Sequence, residues 1–436
     1  MKSVARREFL TALAGTTAAG AFAAPALKAS RASLNDQISV GLIGTGGMGR
    51  GHLRNLLLRD DVHIAAVCDV DDAVLEQVSG RVQEANRKKP RLVKDYRRLL
   101  DDTSIHAVVV ATPHHWHIPI AIPVLQSGKD LYVEKPASHV FREGRLLVEA
   151  ARKYDRIVQH GTQMRSTSVT LRAAEVLKSG LLGEIKMTKA WNVQRGNALE
   201  PKPDGPVPDG VDYDRWLGPA PKRPFNPNRF HRSWRVYRDY GNGDMGDDGA
   251  HDIDMARWAL GVTTHPVRIT AHGSTIDLEG EREYPDNMTV ALQYAEGKVL
   301  LYEDRLWTPY GLHGYDNGNA FYGTEGYMIF SRRGHFQVYM GRKEEKGPGI
   351  TGREYAQNSK AHLANFLESV KTRKPPNAPA DVAHLSCGVI HLAEIAYRVG
   401  RVLEFDPETE TFPHDSEANA MLTKPYREPW TLPERI

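Results

Sequence analysis

Two short segments carry side chains that could transfer protons. The first is Glu134-Lys135-Pro136, which lies at the C-terminal end of the strand-like run Leu131–Glu134. The second is Asp247-Asp-Gly-Ala-His251, in which an aspartate and a histidine stand four residues apart at the start of a predicted helix. Lysine, aspartate and histidine all serve as general acids or bases in enzymes. The structural alternatives are a charged pair that ends a strand, an aspartate in a turn and a histidine in the core.

A glycine-rich run could hold a cofactor for such chemistry. Gly44-Thr45-Gly46-Gly47-Met48-Gly49 has the pattern G-x-G-x-x-G and lies between the apolar run Ile38–Ile43 and a stretch with helical spacing. In that context the first glycine allows a tight turn, and the second lets the backbone approach a pyrophosphate. The third lets the helix pack closely on the strand. The glycines alone could form a structural turn, but their flanks predict dinucleotide binding.

Asp69 lies at the position expected for a ribose-binding acid. It ends the strand-like run His63–Asp69, twenty residues after Gly49. A carboxylate there can accept hydrogen bonds from the adenosine ribose. Asp71 and Asp72 follow it and would repel a 2′-phosphate, which favours NAD over NADP. Arg50 lies near enough in sequence to keep NADP as the less favoured alternative.

Alternating strand and helix patterns in residues 35–162 must position these residues. This alternation predicts an α/β fold with a doubly wound parallel sheet, a Rossmann domain. In such a sheet the C-terminal ends of the strands face the ligand crevice. We therefore expect Glu134-Lys135-Pro136 and the segment Ala111-Thr112-Pro113-His-His-Trp-His117 to reach the cofactor. The strand-like runs are Ile38–Ile43, Ile64–Asp69, Ala107–Ala111, Leu131–Glu134 and Ile157–His160.

The histidines of the second segment also suggest a zinc site. His114, His115 and His117 are close in sequence, but no cysteine or carboxylate lies at a suitable local spacing. Histidines at the edge of a crevice more often act as hydrogen-bonding groups. We therefore predict no metal at this cluster.

The pattern changes after residue 162. Strand-like runs follow one another without long helices between them, so residues 163–436 are predicted to form a second domain with a mainly antiparallel sheet. A Pro/Gly-rich segment, residues 196–227, is too long to be a plain connector. Two helices, Lys360–Thr372 and Asp381–Val399, are predicted near the end of the chain, and an extended tail follows at Glu417–Ile436.

Charge and the N-terminus predict an exported protein. The chain has 436 residues and a formal net charge of +3, and the first 29 residues alone account for that excess. The remaining sequence is neutral, so nothing indicates a nucleic-acid or acidic-membrane partner. Arg6-Arg7-Glu8-Phe9-Leu10 resembles the twin-arginine motif, and the Ala-rich stretch Thr11–Ala26 follows it. Residues 1–29 therefore predict a signal for export to the periplasm, with membrane contact only during export. A basic, disordered N-terminus is the alternative.

The order and spacing of these segments resemble the Gfo/Idh/MocA family, named after glucose–fructose oxidoreductase, inositol dehydrogenase and rhizopine catabolism. The resemblance covers nearly all of the chain after the signal. It implies an N-terminal Rossmann domain and a C-terminal α/β domain with an open, mainly antiparallel sheet. The exposed face of that sheet often mediates oligomers in the family, so a homo-oligomer is expected. It rests on Gly44–Gly49, Thr112–His117, Gly128-Lys129, Glu134–Pro136 and Asp247–His251.

The resemblance also implies roles for individual residues. Lys135 matches the family's catalytic lysine, and Asp247 and His251 match its aspartate and histidine. His117 matches the histidine of the T-P-x-x-x-H segment, and Asp69 matches an acid that prefers NAD. The implied cofactor contacts are Gly44, Thr45, Gly46, Gly47, Met48, Gly49, Asp69, Thr112, Pro113, His117, Glu134 and Lys135. The sequence departs from the family at His114, where members often carry Asn or Asp, and in the long segment of residues 196–240.

The implied activity is hydride transfer between a nicotinamide and a hydroxyl of a sugar, glycoside or cyclitol. The base could be Lys135, because burial and a nearby nicotinamide cation favour the neutral form of a lysine, or it could be His251. In either case Asp247 would orient its partner. Polyols need polar groups and an aromatic wall, so contacts are predicted from Gln163, Arg165, Trp234 and Tyr237.

Two alternatives differ in class from a dehydrogenase. A lyase or hydrolase could oxidise a glycoside transiently, cleave it and return the hydride. Exported NAD-dependent glycosidases of the family act in this way, but they lack the intact Glu-Lys-Pro motif found here at Glu134–Pro136. A non-catalytic binding protein could also use the same fold. The complete set of Lys135, Asp247 and His251 argues against a pure binding role.

Overall fold

Six parallel strands form the first sheet in the computed structural model, which describes residues 37–86 and 88–436. The predicted signal in residues 1–29 lies outside the described residues. The strands are β1 (Ile38–Ile43), β2 (Val62–Cys68), β3 (Arg91–Val93), β4 (Ala107–Val110), β5 (Asp130–Val133) and β6 (Val158–His160). Their order is β3-β2-β1-β4-β5-β6, so the winding reverses between β1 and β4. The predicted doubly wound sheet is confirmed, and its ligand crevice is expected at this reversal.

Apolar runs explain why these strands are central. β4 reads Ala-Val-Val-Val and is buried along its whole length, as a parallel strand covered on both faces should be. β3 was not predicted, because it has three residues, lies at the edge of the sheet and is mostly exposed. The helices that connect these strands are α1 (Gly47–Leu57), α2 (Asp72–Asn86), α3 (Tyr96–Leu100), α4 (His117–Gln126) and α5 (Phe141–Lys153).

Nine strands form the second sheet, and all but one neighbouring pair in it run antiparallel. They are β7 (Ile185–Asn192), β8 (Arg268–Ser274), β9 (Asn287–Gln293), β10 (Val299–Arg305), β11 (Asn317–Gly323), β12 (Gly326–Ser331), β13 (His335–Met340), β14 (Glu345–Thr351) and β15 (Leu403–Glu404). Their order is β14-β13-β12-β11-β7-β10-β9-β8-β15, and the exception is the parallel pair β7 and β10. The predicted mainly antiparallel sheet is confirmed. The edge strands β14 and β15 were missed because one is polar and glycine-containing and the other has two residues.

Seven further helices in the described residues complete the fold. They are α6 (Ser168–Lys178), α7 (Tyr213–Leu217), α8 (Gly243–Gly246), α9 (Gly249–Leu260), α10 (Ser359–Thr372), α11 (Ala380–Val399) and α12 (Ser416–Ala420). α9 and α11 pack on the second sheet through one apolar cluster. α10 returns to the first sheet, where Leu363, Phe366 and Leu367 join the core around β1 and α1. None of the helices in residues 37–86 and 88–436 combines the length and the apolar character needed to span a bilayer.

The segment of residues 193–240, here called the cover segment, has a small core of its own. It contains α7 and a short 3₁₀ helix, Ser233–Val236. The buried apolar side chains of this core are Tyr213, Trp216, Leu217, Ala220, Phe225, Phe230, Trp234, Val236, Tyr237 and Tyr240. Most of these are aromatic and bury a large apolar area per residue, which explains how a segment with little regular structure holds one conformation.

Candidate active site

A cavity of about 500 Å³ opens where the first sheet reverses its winding. Gly44, Ala111 and Glu134 line it, and each directly follows the last residue of a central strand: β1, β4 and β5. Residues of the cover segment and of the chain around α8 and α9 also line the cavity. The described structure therefore brings both predicted chemical segments and the glycine run to one place.

The glycine run forms the turn that the sequence predicts. Gly44 has φ of +79°, and its amide donates to the carbonyl of Cys68 at 2.9 Å. A Cβ on Gly49 would lie 2.0 Å from the carbonyl oxygen of Gly44, so only glycine allows α1 to pack here. In contrast, a Cβ on Gly46 or Gly47 would meet nothing within 4 Å. The free amides at the start of α1 line an open cradle that fits a pyrophosphate.

Not every residue of the run touches the cavity. Gly44, Gly46, Gly47 and Met48 line it, as do Thr112 and Pro113 from the segment after β4. Thr45 is fully buried and acts through Asp69 instead: the Thr45 amide and hydroxyl donate to Asp69 Oδ2 at 2.8 and 3.0 Å. Thr45 and Gly49 therefore support the turn rather than contact a ligand.

Asp69 lines the cavity with a carboxylate held in a fixed orientation. Its second oxygen accepts a hydrogen bond from the amide of Asp71 at 3.3 Å. Burial raises the pKa of Asp69, and the hydrogen bonds from Thr45 oppose that rise. Since a carboxylate offers about four acceptor positions, Asp69 retains capacity for the hydroxyls of a ribose.

Lys135 and Asp247 form an ion pair in the wall of the cavity. Lys135 Nζ donates to Asp247 Oδ1 at 2.5 Å and to the Asp247 carbonyl at 2.7 Å. Arg235 Nε lies 2.8 Å from the other carboxylate oxygen, Oδ2. Burial disfavours the Asp247 carboxylate, but the charges of Lys135 and Arg235 outweigh it and hold its pKa far below the ordinary value. Asp247 therefore stays ionised and fixes both cations at the cavity.

His251 joins the same wall through a chain of side-chain amides. Gln357 Nε2 lies 3.3 Å from His251 Nε2 and donates to Gln163 Oε1 at 2.9 Å. Gln163 Nε2 in turn donates to Glu134 Oε1 at 3.0 Å. Because an amide nitrogen only donates, His251 Nε2 is the acceptor and the ring proton lies on Nδ1. Burial and the positive charges of Lys135 and Arg332 lower the pKa of His251 well below its usual value, so the ring is neutral.

Glu134 is a structural anchor of the site. Its Oε1 lies 2.7 Å from His52 Nε2, and its Oε2 accepts a hydrogen bond from the Lys135 amide at 3.2 Å. Burial disfavours the Glu134 carboxylate, yet the hydrogen bond from His52 and the charge of Lys135 lower its pKa on balance. The carboxylate therefore fixes the start of the Glu134–Pro136 segment to α1, which carries His52.

His117 joins the two strand-end segments. Its Nδ1 lies 2.7 Å from the carbonyl of Pro136, and its Nε2 lies 2.9 Å from the carbonyl of Thr112. Burial lowers the pKa of His117, and the two carbonyls oppose that effect. Although the ring also lines the cavity, both of its nitrogens are engaged by the backbone. Its observed contacts thus position the segments that carry Thr112 and Lys135.

The other two histidines of the cluster have separate partners. His114 Nδ1 donates to Asn242 Oδ1 at 3.1 Å, and His115 Nε2 lies 3.1 Å from the carbonyl of Trp216. The rings of His114, His115 and His117 therefore connect different parts of the chain and do not direct a common set of nitrogens at one point. This geometry agrees with the predicted hydrogen-bonding role.

Among the described side chains, a different group has donor atoms close enough for a metal ion: His265, His384 and Glu410. It lies away from the cavity and is buried or half-buried. Arg145 already donates to both carboxylate oxygens of Glu410, at 2.9 and 2.5 Å. The group is thus a buried charge network that joins α5 to the last part of the chain.

The four predicted polyol contacts divide into two pairs. Gln163 and Trp234 line the cavity. Arg165 does not, because its guanidinium forms a buried, two-point ion pair with Asp254 at 2.7 and 2.8 Å. Tyr237 also points elsewhere: its hydroxyl donates to Glu281 at 2.9 Å, and its ring belongs to the core of the cover segment. Arg165 and Tyr237 therefore stabilise the surroundings of the site in the described structure.

Sequence reasoning missed several residues of the cavity wall. Gln357 and Arg332 come from loops after β14 and β12 and belong to no recognised motif. Trp430 reaches the cavity from the C-terminal tail, which was predicted to pack as extended chain, and its ring contacts that of Trp116. Of these residues, only Arg235 and Asp248 could have been found from the sequence, because they are direct neighbours of the predicted site residues Trp234 and Asp247.

Comparison with known proteins agrees with this geometry. The family model described as an oxidoreductase family with an NAD-binding Rossmann fold matches residues 38–162. The companion model, the C-terminal alpha/beta domain of that family, matches residues 176–308 and 337–432. The chain belongs to the Gfo/Idh/MocA family. It is therefore an NAD-dependent oxidoreductase, and the turn at Gly44–Gly49 with Asp69 is the part of the cavity that fits NAD.

Curated relatives include enzymes of two kinds. A levoglucosan dehydrogenase from Pseudarthrobacter phenanthrenivorans is 25% identical over 354 residues, which cover 72% of this chain and 83% of that protein. A glycosyl hydrolase family 109 protein from a Shewanella strain is 28% identical over 206 residues. That second match covers 42% of this chain and 45% of the hydrolase, so it spans less than half of each protein.

Solved structures share the fold at low sequence identity. A levoglucosan dehydrogenase in complex with NADH and levoglucosan has a TM-score of 0.66 and 20% identity, over 84% of this chain and 99% of its own. An aldose-aldose oxidoreductase from Caulobacter crescentus, complexed with glycerol, has a TM-score of 0.65 and 17% identity, over 85% and 100%. These similarities show that the chain shares the two-sheet architecture of these enzymes.

Proposed function

We propose that the protein transfers a hydride between NAD and one hydroxyl-bearing carbon of a sugar, glycoside or cyclitol. The observation that carries this proposal is the ion pair of Lys135 Nζ and Asp247 Oδ1, which lines the same cavity as the Gly44–Gly49 turn. A proton-transferring group and a dinucleotide cradle in one cavity are what alcohol oxidation requires. Relatives named for levoglucosan and aldose substrates support a sugar.

Lys135 is the group best placed to handle the substrate proton. When bound, NAD would accept the hydride from the carbon or return it. In the reductive direction the Lys135 ammonium donates a proton to the carbonyl oxygen. In the oxidative direction neutral Lys135 takes the hydroxyl proton. Asp247, which Arg235 holds at its other oxygen, fixes the Lys135 side chain at the cavity wall, so the Nζ atom is already oriented before substrate binds.

The surroundings of His251 favour an orienting role. Its Nε2 accepts from Gln357, its Nδ1 is buried without a hydrogen-bond partner among the described residues, and its pKa is lowered by burial and nearby cations. Taking up a further proton there would place a positive charge beside Lys135 and Arg332. The neutral ring is better suited to donate from Nδ1 to a substrate hydroxyl.

Replacement of Lys135 tests the proposed function. Lys135→Met should lower hydride transfer at least 1,000-fold, because the proton then has no acceptor, while NAD affinity changes less than threefold. The matched control is Lys189→Met, which breaks the ion pair with Glu303 on the second sheet, away from the cavity. NADH formation with a panel of sugars and cyclitols is the measurement. Turnover of Lys135→Met within tenfold of the wild type would contradict the role of Lys135.

A second candidate is a glycoside lyase or hydrolase that oxidises its substrate transiently. The partial match to the family 109 hydrolase favours it. Such an enzyme would release the aglycone with no net change in NAD. Product analysis with p-nitrophenyl glycosides separates the candidates: free p-nitrophenol with catalytic NAD indicates cleavage, whereas an intact, oxidised glycoside with stoichiometric NADH indicates a dehydrogenase.

Export to the periplasm belongs to the same proposal. Arg6 and Arg7 and the Ala-rich stretch after them support it. The double substitution of both arginines by lysine should leave the full-length precursor in the cytoplasm. Normal periplasmic accumulation of that variant, measured by cell fractionation, would argue against the twin-arginine route.

A homo-oligomer through the second sheet also remains part of the proposal. On the face opposite α9, the rings of Tyr322, Tyr327 and Tyr339 lie side by side on β11, β12 and β13, with centroids 5.9 and 4.9 Å apart. These half-buried aromatic rings are suited to an interface. Light scattering after size exclusion should give a dimer or larger assembly, and Tyr327→Glu should shift it toward the monomer. A wild-type monomer at micromolar concentration would contradict this part of the proposal.

A further inference from the structure

Arg332 is a buried cation that the proposed chemistry does not use. It follows β12, lines the cavity, and its side chain is 7% exposed. Its Nε has no hydrogen-bond partner among the described residues. It also lies in residues 309–336, between the two parts of the chain that the C-terminal family model matches. Arg332 is therefore not among the residues that the family resemblance assigns to the site.

The position of Arg332 links it to the proposed catalytic wall from two sides. Its Nη1 lies 3.4 Å from Oδ1 of Asp248, the residue after Asp247. Its carbonyl accepts a hydrogen bond from the Gln357 amide at 2.9 Å, and the Gln357 side chain contacts His251. A substrate held at Lys135 and His251 would thus lie beside Arg332 and Asp248.

The contacts of Arg332 with its two acidic neighbours are loose. At 3.4 Å the contact with Asp248 is longer than a normal charge-assisted hydrogen bond. The second neighbour, Asp252, has its Oδ2 atom 3.9 Å from Arg332 Nε, and that oxygen has no hydrogen-bond partner in the described residues. A buried guanidinium with an unused donor is costly unless another group satisfies it.

Asp248 supplies the matching acceptor. Its side chain is 40% exposed, lines the cavity, and is held at the other oxygen by Gln194 Nε2 at 2.6 Å. A hydroxyl can donate to a carboxylate and accept from a guanidinium at the same time. Because Asp248 and Arg332 both line the cavity side by side, neighbouring hydroxyls of one sugar can reach both groups from the cavity.

The charge of this cluster favours an uncharged ligand. Arg332 carries one positive charge and faces two carboxyl groups, Asp248 and Asp252. The cluster is therefore neutral or negative, and an added carboxylate or phosphate would meet the like charge of Asp248. Burial raises the pKa of Asp252 to about 7, so near neutral pH the net charge of the cluster lies between zero and minus one.

We propose that Asp248 and Arg332 bind two neighbouring hydroxyls of an uncharged sugar, and that sugar acids and sugar phosphates are excluded from this subsite. This inference rests on the proposed function and names its substrate class. Asp248 and Arg332 are specificity residues that hold the non-reacting part of the sugar, whereas Lys135 handles the reacting hydroxyl.

The experiment measures affinity separately from turnover. NAD-loaded Lys135→Met protein is titrated calorimetrically with the methyl glycosides of glucose, galactose and mannose, and with the corresponding uronic acids. The best neutral sugar should bind at least tenfold more tightly than its uronic acid. Arg332→Gln and Asp248→Asn, each added to Lys135→Met, should weaken that sugar about tenfold or more, and the double change should cost little more than either single change. The control is Arg333→Gln, whose exposed side chain pairs with Asp316, and it should stay within twofold.

Steady-state kinetics of variants that keep Lys135 separate the changes in KM and kcat. A residue with only a structural role would not change KM selectively. Arg332→Gln should raise KM about tenfold with less than a threefold change in kcat, and Arg332→Lys should recover part of that loss. If Arg332→Gln fails to fold, Asp248→Asn alone decides, because its side chain is partly exposed. Tighter binding of uronic acids, or affinities within twofold of the parent in both single variants, would overturn the subsite alone. Absence of binding and turnover with every sugar, while NAD binds, would overturn the proposed function together with it.

Discussion

The two ends of the cavity are built in different ways. At the cofactor end, the turn at Gly44–Gly49 presents backbone amides, and its shape depends on the lack of a side chain at Gly49. At the substrate end, charged and amide side chains from distant segments converge, among them Lys135, Asp247 and Arg332. Ligand affinity at a backbone site is lost when a new side chain occupies the space of the turn, whereas affinity at a side-chain site depends on the charges of its residues. Substitution and pH should therefore affect the two ends separately.

The largest expected effect on cofactor binding comes from a substitution that fills the turn. In Gly49→Ala the new Cβ would lie 2.0 Å from the Gly44 carbonyl oxygen, and backbone on both sides would have to shift. NAD affinity should fall more than 100-fold, and the unfolding free energy should drop by about 3 kcal/mol or more, as for other strained or overpacked sites. Calorimetric titration with NAD and thermal unfolding are the measurements.

The neighbouring glycine gives a matched control for that experiment. Gly47→Ala places a Cβ where nothing lies within 4 Å, and Gly47 does not have a positive φ. Its stability should stay within about 0.5 kcal/mol of the wild type, as for a surface substitution. Equal losses of unfolding free energy in Gly49→Ala and Gly47→Ala would contradict the contrast between the packed position at Gly49 and the open position at Gly47.

The next effect in size concerns Asp69, the carboxylate that lines the cofactor end of the cavity. Asp69→Ala should weaken NAD about tenfold or more, since hydrogen bonds to a charged group are worth about 1.5 to 3 kcal/mol. It should also reduce the preference for NAD over NADP, because no carboxylate remains to repel a 2′-phosphate. Affinities for both cofactors, measured by fluorescence titration, test this point.

Asp69 also holds Thr45, so a control must separate ribose binding from support of the turn. Thr45→Val removes the hydroxyl contact at 3.0 Å but keeps the amide contact at 2.8 Å. It should weaken both cofactors equally and leave the preference for NAD unchanged. A shift of preference in Thr45→Val, or none in Asp69→Ala, would show that Asp69 does not contact the ribose.

The difference between the two ends also explains what the sequence could predict. The cofactor end is local: the strand, Gly44–Gly49, α1 and the acid at Asp69 all fall within 32 consecutive residues, and their spacing alone predicts the turn. Lys135 and Asp247 could be predicted because each lies in a motif of the family. The fold class could be predicted for a similar reason, since strand and helix periodicities are local signals.

The remaining wall depends on long-range packing. Gln357 reaches His251 across 106 residues of sequence, and Trp430 approaches Trp116 from the C-terminal tail. Nothing in the composition of these loops marks them as part of a site. Arg165 shows the converse: a polar residue near the site looked available for substrate, but Asp254 on α9 already pairs with it. Only the three-dimensional structure reveals such competing partners.

A smaller effect is expected where the cover segment meets the first sheet. Gly218 has φ of +49°, and a Cβ there would lie 2.0 Å from the Trp116 ring. Gly218→Ala should cost about 1 to 3 kcal/mol of stability through backbone strain and should loosen the segment from the ring. Limited proteolysis should then cut within residues 193–240 faster than in the wild type. The control is Gly205→Ala, because a Cβ at Gly205 would meet nothing within 4 Å. Equal cleavage in all three proteins would contradict this packing role.

The smallest effect expected is a pH dependence confined to the substrate end. Burial raises the pKa of Asp252 to about 7 in the folded protein, against an ordinary value of about 3.9 in the unfolded chain. Between these values the folded state binds more protons than the unfolded state, so stability falls as pH rises from about 4 to about 7 and stays lower above it. Asp252→Asn cannot ionise and should escape that loss. Its stability relative to wild type should therefore increase by about 1 to 2 kcal/mol between pH 5 and pH 8, since one pKa unit corresponds to about 1.4 kcal/mol and Arg332 offsets part of it.

The control is Asp316→Asn. Its pairing with Arg333 lowers the pKa of Asp316 despite the opposing effect of burial, so its contribution changes only at acidic pH, and its relative stability should stay constant from pH 5 to pH 8. Urea unfolding at both pH values measures the stability. NAD affinity at the same two pH values reports on the cofactor end. A constant difference for Asp252→Asn, or an equal change in NAD affinity, would show that charge does not separate the two ends.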